Sequence, residues 1–218
     1  MRATRQGEFT NIIGIMRIYF SLLLLGLLLC PQAVSAQDRI SSPRGEAATQ
    51  IGGTFTDGDY TGGSWVVVDY GRPILRGRKQ IFGAGESYGV AVSGGIPVWR
   101  VGANKSTRFT TERDLNIAGH RVAAGEYSLF IDLKEDAWTF ILSNHKAKSS
   151  GSSTEEGIWG AYEYQMEMDV LRAPMVRSQN IVSVDQLTIS FVDMTPEGGT
   201  LAVMWENEVA TINFSVAN

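Results

Sequence analysis

Three arginines in the first half of the chain, Arg72, Arg78 and Arg100, stand beside aromatic or glycine residues. A guanidinium group presents five N–H donors in one plane, which suits a carboxylate, a phosphate or a pair of sugar hydroxyls. Tyr70 and Trp99 could stack on a ring of the same ligand. If these side chains converge, they form a site for an anionic or polar ligand. The six candidate ligand-binding residues are Tyr70, Arg72, Arg78, Trp99, Arg100 and Asn104.

The same arginines also have a structural interpretation. Arg72 and Arg100 could donate to carbonyl oxygens of the loops, or could pair with nearby acidic side chains. These acidic neighbours are Asp69, Glu112 and Asp114. In that case the arginines hold the loops together and contact no ligand. The sequence leaves both interpretations open.

An enzymatic role needs an acid/base pair or a nucleophile. The acid/base candidates are Asp69, Glu112, Asp114 and His120. Ser87 lies in a G-x-S-x-G string at 85–89, which is the pattern of a hydrolase nucleophile turn when a strand precedes the serine and a helix follows it. The segment 90–95 is a poor helix start, so we predict a glycine-rich loop. No catalytic residue is assigned.

The residues that could bind a metal do not form a recognised spacing. The chain has one cysteine, Cys30, and two histidines, His120 and His145. A three-histidine site is therefore excluded, and no HExxH motif is present. The segment 57–59 (DGD) has the start of a calcium loop without its later ligands, which favours a turn. We predict neither a metal nor another cofactor.

Strands are the elements that must position these residues, because apolar and polar side chains alternate with a period of two. The alternating segments are 127–133, 138–142, 187–191, 201–205 and 210–216, and an uninterrupted apolar run occupies 65–68. Glycine- and aspartate-rich turns separate them, and Asn207-Glu208 is predicted to close the last hairpin. The pattern predicts an all-β fold with little helix: an antiparallel β-sandwich, jelly-roll-like.

The N-terminal segment has the order of an export signal. Arg17 precedes an apolar run at 18–30, and small residues at 34–36 form a cleavage site. The run rises only about 20 Å as a helix, less than the roughly 30 Å of a bilayer core, so no permanent membrane span is predicted. We predict a signal peptide at 1–36, a flexible lead-in at 37–46 and a single β-sandwich domain at 47–218. The expected location is periplasmic or extracellular, after cleavage near Ala36.

The charge balance excludes two classes of partner. The 218 residues include 19 basic and 23 acidic residues, a net charge of −4. Removal of 1–36 takes three arginines and one glutamate, which leaves 16 basic and 22 acidic residues, a net charge of −6. A general nucleic-acid binder needs a basic face, and so does a protein that binds anionic membranes. We therefore expect no nucleic-acid partner. The sequence leaves the oligomeric state open.

Six motifs in a fixed order resemble a known family, the domain of unknown function 2911. They are DYGRP at 69–73, GR at 77–78 with IFG at 81–83, YG at 88–89, WRVGAN at 99–104, AGEYSLF at 124–130 and WGAY at 159–162. The resemblance covers almost the whole chain after the signal, and it implies an exported bacterial protein with a mainly β domain. It supplies no reaction. Ser87 stands where relatives usually carry proline, which further disfavours a serine nucleophile.

These observations together favour a non-catalytic domain for binding or envelope interaction. The expected partner is a small polar or anionic ligand, a glycan or a peptide, near the three arginines. The alternatives are a hydrolase that acts on a polar exported substrate and a purely structural surface protein.

Overall fold

The alternating segments form the long strands of the structure, a computed structural model in which residues 41–217 are described. Successive side chains of a strand point to opposite faces, so an apolar row of one parity is buried when two sheets pack together. Within the described residues, twelve strands pair antiparallel in three sheets. Helix is limited to one four-residue segment and two single 3-10 turns. The predicted all-β antiparallel sandwich is confirmed.

The larger sheet has six strands. In chain order they are β1 (Arg44–Ile51), β4 (Ser64–Gly71), β5 (Thr107–Thr111), β8 (Gly125–Leu133), β9 (Trp138–Ser143) and β10 (Asp169–Pro174). They lie in the order β1-β4-β5-β8-β9-β10. Because β1 begins at Arg44, it includes the last three residues of the segment predicted as a flexible lead-in.

The smaller sheet has four strands and faces the larger one. In chain order they are β6 (Leu115–Ile117), β7 (His120–Val122), β11 (Val176–Thr195) and β12 (Gly198–Val216), and they lie in the order β11-β12-β6-β7. The chain crosses between the two sheets after β5, after β7 and after β10. A separate short hairpin consists of β2 (Thr54–Thr56) and β3 (Asp59–Thr61).

The main core lies between the two sheets. Leu129 of the larger sheet and Ile189 and Ile212 of the smaller one are at most 4% exposed, as their parity predicts. Removal of one such side chain from water contributes about 1.5–3 kcal/mol. A second, smaller apolar cluster covers part of the outer face of the six-stranded sheet, with Phe130 and Ile141 beneath Ile158.

The turn predicted at Asn207-Glu208 is wrong. Strand β12 continues through these residues, and the hairpin between β11 and β12 closes further back, where Thr195 pairs with Gly198. The pattern is interrupted near Asn207 because Glu206 has a φ of 55° and the pairing with β11 shifts register there. A bulge changes the parity of a strand without ending it, so alternation alone does not distinguish a bulge from a turn.

The connection between β4 and β5, residues 72–106, carries most of the predicted site. It contains a 3-10 turn at Gly85–Ser87 and the helix α1 (Val90–Ser93). No strand directly precedes Ser87, and its hydroxyl donates to Ala84 O at 2.9 Å. The 85–89 segment is thus a loop, in agreement with the expectation from its sequence.

The predicted signal peptide, 1–36, and residues 37–40 of the lead-in lie outside the described residues. In the part of the chain from 41 to 217, no helix is long and apolar enough to cross a membrane.

Candidate ligand-binding cleft

A cavity of about 690 Å³ opens between the 73–83 segment, α1 and strand β12. Its volume is within the range of small-molecule sites. We call it the cationic cleft, because the residues that line it include two basic side chains and no acidic one among those described. Its lining residues are Ser42, Pro73, Arg78, Lys79, Gln80, Ile81, Gly83, Ser87, Val90, Ala91, Val92, Trp99, Gly102 and Trp205.

Backbone carbonyls fix the guanidinium of Arg78. Its Nε donates to Leu75 O at 3.0 Å, and its Nη2 donates to Ile74 O at 2.9 Å. The turn that allows this return is made by Arg76 and Gly77, whose φ values are 51° and 79°. Both Arg78 and Lys79 are exposed to solvent. Within residues 41–217, no ion pair joins either side chain to a carboxylate, so no acidic side chain there offsets the positive charge at the rim.

Two tryptophans form a rigid floor. Trp99 and Trp205 stack with ring centroids 6.1 Å apart and an interplanar angle of 11°. The Trp99 backbone is held by a two-way pair of hydrogen bonds with Ile131, at 2.8 and 2.9 Å. Trp99 is 1% exposed and Trp205 5%, so little of either ring is accessible from the cleft. A ligand ring therefore cannot stack broadly on them.

Tyr70 and Arg72 connect the two sheets. The Tyr70 hydroxyl accepts from Ile189 N at 2.9 Å, deep in the core. Arg72 Nε donates to Leu187 O at 3.3 Å. Tyr70 lies near the end of β4 and Arg72 directly follows the strand, and both side chains reach strand β11.

Arg100 and Asn104 hold a loop against its neighbours. Arg100 Nη1 donates to Asn104 O at 3.2 Å, and its side chain lies against Gly160, where an added Cβ would come within 2.2 Å of Nη1. Burial lowers the pKa of the Arg100 guanidinium. Asn104 adopts a φ of 64°, a conformation that asparagine tolerates better than most residues.

Glycines allow the two motif segments to touch. A Cβ on Gly71 would lie 2.2 Å from Ala103 O, and one on Gly102 would lie 3.0 Å from Gly71 O. The DYGRP and WRVGAN segments are thus packed backbone to backbone. Of the six predicted ligand residues, Arg78 and Trp99 line the cationic cleft, whereas the guanidinium groups of Arg72 and Arg100 end against different backbone segments.

The four acid/base candidates lie apart from the cleft lining. Asp69 pairs with Arg44, and Glu112 Oε2 accepts from Trp65 N at 2.7 Å. Asp114 accepts from Ala124 N and pairs with Arg121, and these two hydrogen bonds lower its pKa. His120 is exposed at the start of β7. Within residues 41–217, neither Arg72 nor Arg100 forms an ion pair with these carboxylates. Both guanidinium groups donate to carbonyl oxygens, which was the other structural interpretation.

A second cavity, of about 460 Å³, lies on the other side of the 80–83 segment, and sequence reasoning missed it. Its lining includes Tyr88, Glu206 and Glu208. Glu206 accepts from the backbone N–H of Gln80 and from that of Ile81, the latter at 3.1 Å. The bulge at Glu206 therefore fixes the wall between the two cavities. The interrupted alternation at 206–208 is the sequence signal for this bulge, and alternation alone predicts a turn at Asn207-Glu208 instead.

Tyr88 belongs to a partly buried polar cluster beside this second cavity. Its hydroxyl accepts from Trp138 Nε1 at 2.9 Å and from Arg177 Nη2 at 3.1 Å. Burial is the main cause that raises the Tyr88 pKa, so the phenol is neutral at pH 7. Arg177 also pairs with Glu208 at 2.8 Å. The cluster joins the loop to both sheets.

The fold and these motifs define an all-β domain whose characteristic residues hold two loops together. A family model described as a protein of unknown function, DUF2911, matches residues 55–214. The chain belongs to this family. Searches among curated proteins and among solved structures gave no match.

Proposed function

We infer that this chain is an exported, non-catalytic binding domain that holds an anionic ligand, a glycan or a peptide, in the cationic cleft. The observation that carries the proposal is Arg78: its guanidinium is fixed by two carbonyls, is exposed at a cavity and has no carboxylate partner within residues 41–217. A preorganised cation of this kind binds an anion with little loss of side-chain entropy.

The ligand has an anionic group and an apolar part. Arg78 and Lys79 supply the positive charge at one rim of the cleft, and Val90 and Val92 supply apolar surface at the other. Trp99 and Trp205 close the floor and are almost fully buried. A uronic-acid sugar or the carboxylate end of a peptide satisfies both requirements. Tyr70, Arg72, Arg100 and Asn104 then position the walls and do not contact the ligand.

Calorimetric titration of the chain without residues 1–36 tests this proposal. The probes are trigalacturonate, a short acidic peptide and the matched neutral peptide. We expect binding of an anionic probe that weakens as salt is added, because exposed charges are screened. Arg78→Ala should weaken it about ten- to hundredfold, since a hydrogen bond to a charged group contributes about 1.5–3 kcal/mol.

Arg121→Ala is the matched control, because it removes an exposed arginine from β7, outside the cleft lining. It should leave the affinity unchanged. Equal weakening by Arg78→Ala and Arg121→Ala would indicate attraction by overall charge only. The absence of binding by both anionic probes at low salt would contradict the proposed site.

A further inference from the structure

The outer face of the six-stranded sheet has a covered half and an open half. Over β8 and β9, Phe130 and Ile141 are fully buried under the second apolar cluster. Over β1, β4 and β5, the same face presents Trp65, which is 44% exposed. The solvent side of an antiparallel sheet is normally polar, and a half-exposed indole there is informative only if further apolar side chains continue it as a patch.

Backbone pairing holds Trp65 on the central strand of this open half, near the end where β4 begins. Trp65 lies directly opposite Gln50 of β1. On its other side, Trp65 N donates to Glu112 Oε2 at 2.7 Å and Glu112 N donates to Trp65 O at 3.0 Å. The indole is therefore flanked on one side by an amide and on the other by a carboxylate. In the next row, Val67 lies between Ala48 and Thr110.

Two more aromatic residues continue from Trp65 toward the short hairpin. Gly63 has no side chain, and a Cβ there would lie 2.4 Å from a Tyr60 ring atom and 3.2 Å from Gln50 Cβ. The Tyr60 ring thus occupies the space that Gly63 leaves beside Gln50. Tyr60 pairs across the hairpin with Phe55, which is 69% exposed. We call Phe55, Tyr60 and Trp65 the aromatic strip.

Two of the three residues of the strip are anchored, Tyr60 by its hydroxyl and Trp65 by its backbone. The Tyr60 hydroxyl accepts from Gly53 N at 2.9 Å, which fixes the ring over the base of the hairpin. Trp65 is fixed through its own backbone in β4. Rigid aromatic side chains give a large contact area with little loss of conformational entropy, so an ordered row of them is suited to binding.

The polar groups around the strip favour a neutral partner. Glu46 and Glu112 lie on this face, and within residues 41–217 no lysine or arginine pairs with either one. Asp69 and Glu126 are compensated by Arg44 and Arg108. Arg113, whose guanidinium lies beside Gly52, adds one positive charge near the hairpin. Within the described residues, two unpaired glutamates against one arginine leave the face slightly acidic and rich in acceptors for hydroxyl donors.

We propose that the aromatic strip binds a neutral glycan built of pyranose rings. The apolar C–H face of a pyranose packs on the exposed indole of Trp65, and its hydroxyls donate to Glu112 and exchange hydrogen bonds with Gln50. This site is separate from the cationic cleft and takes a ligand of a different charge. The experiments can therefore contradict one of the two proposed sites without contradicting the other.

The test is titration with cellohexaose, chitohexaose and xylohexaose, followed by calorimetry and by tryptophan fluorescence. We expect one of these neutral oligosaccharides to bind, to change the emission and to protect the exposed indole from acrylamide. Binding should be insensitive to salt. Trp65→Ala should weaken it at least tenfold, and Trp65→Phe should retain part of it because an aromatic ring remains.

Tyr162→Ala is the matched control, because Tyr162 is 58% exposed and lies on a loop outside the strip. It should bind the glycan as the unaltered chain does, and so should Arg78→Ala. Failure of all three oligosaccharides to bind would overturn the proposal, as would equal weakening by Trp65→Ala and Tyr162→Ala. Trp65→Ala should also keep its melting temperature within a few degrees. If sedimentation shows a dimer that Trp65→Ala dissociates, the strip contacts a second copy instead.

Discussion

The arginines of the two motif segments and the arginine of the cleft have the same chemistry and different surroundings. Arg72 and Arg100 turn inward, and each ends on a backbone carbonyl beside a glycine that leaves room for it. Arg78 also donates to carbonyls, but its side chain is exposed at the rim of a cavity. The DYGRP and WRVGAN segments therefore stabilise a contact between two loops, whereas the cationic cleft beside them is open to solvent.

Because the two regions differ in this way, substitutions in them should have different effects. Residues of the loop contact should change the free energy of unfolding, and residues of the cleft rim should change binding with little effect on stability.

Trp99→Ala should have the largest effect. Trp99 is 1% exposed, stacks on Trp205 and joins the loop contact to the cleft floor. Replacement of a buried tryptophan by alanine typically lowers the free energy of unfolding by about 3–5 kcal/mol, and urea unfolding would measure this loss. Trp65→Ala is the control for removal of an indole, and because Trp65 is partly exposed it should cost about 1 kcal/mol or less. Similar losses for both would mean that Trp99 is less well packed than its burial indicates.

Gly71→Ala tests the contact between the two motif segments. The new Cβ would lie 2.2 Å from Ala103 O, and a backbone atom cannot move without shifting the loop. We expect a loss of about 1–3 kcal/mol and a lower melting temperature. Gly151→Ala is the comparison, because it lies on an exposed turn and the atom nearest its Cβ would be Trp159 Nε1, at 3.3 Å. If the two substitutions destabilise equally, the backbone approach at Gly71 is not the constraint.

Tyr70→Phe tests the link between the sheets at the same place. It removes only the hydroxyl that accepts from Ile189 N, which leaves a buried donor without a partner. Such a group costs about 1–3 kcal/mol. Tyr127→Phe removes a hydroxyl that donates to Ala123 O at 2.8 Å, where water can replace it because Ala123 is exposed. Thermal unfolding should therefore show the smaller loss for Tyr127→Phe, and the reverse order would contradict the role assigned to Tyr70.

The sequence was sufficient for the fold class because burial in a sandwich follows a period of two. Leu129, Ile189 and Ile212 are buried as their parity predicts. The bulge at Glu206 was mistaken for a turn, because a shift of parity looks the same in either case. The alternation of apolar and polar residues indicates which face of the sheet a residue lies on, but it does not indicate whether the strand continues.

The candidate site was only partly predictable. Arg78 and Trp99 were among the candidates and line the cleft, and Trp205 and Lys79 were not. Trp205 lies more than a hundred residues from Trp99 in the chain, and only the packing of the two sheets brings them together. The arginines all fit one residue pattern. Which of them turns inward depends on Gly45 and Gly160, which are distant in sequence or on other elements.

Arg100→Ala and Arg78→Ala should differ least in the free energy of unfolding, but they should differ clearly in affinity for an anionic probe. Arg100→Ala loses a hydrogen bond to Asn104 O and packing against Gly160, so we expect a loss of about 0.5–1.5 kcal/mol in urea unfolding. Arg78→Ala loses two hydrogen bonds to carbonyls of an exposed turn, where water can replace the guanidinium, so it should stay within about 0.5 kcal/mol of the unaltered chain. In titration with an anionic probe the order reverses, because only Arg78 lines the cleft. If Arg100→Ala abolishes binding at unchanged stability, the ligand contacts the motif arginines directly, and the division between loop contact and cleft rim is wrong.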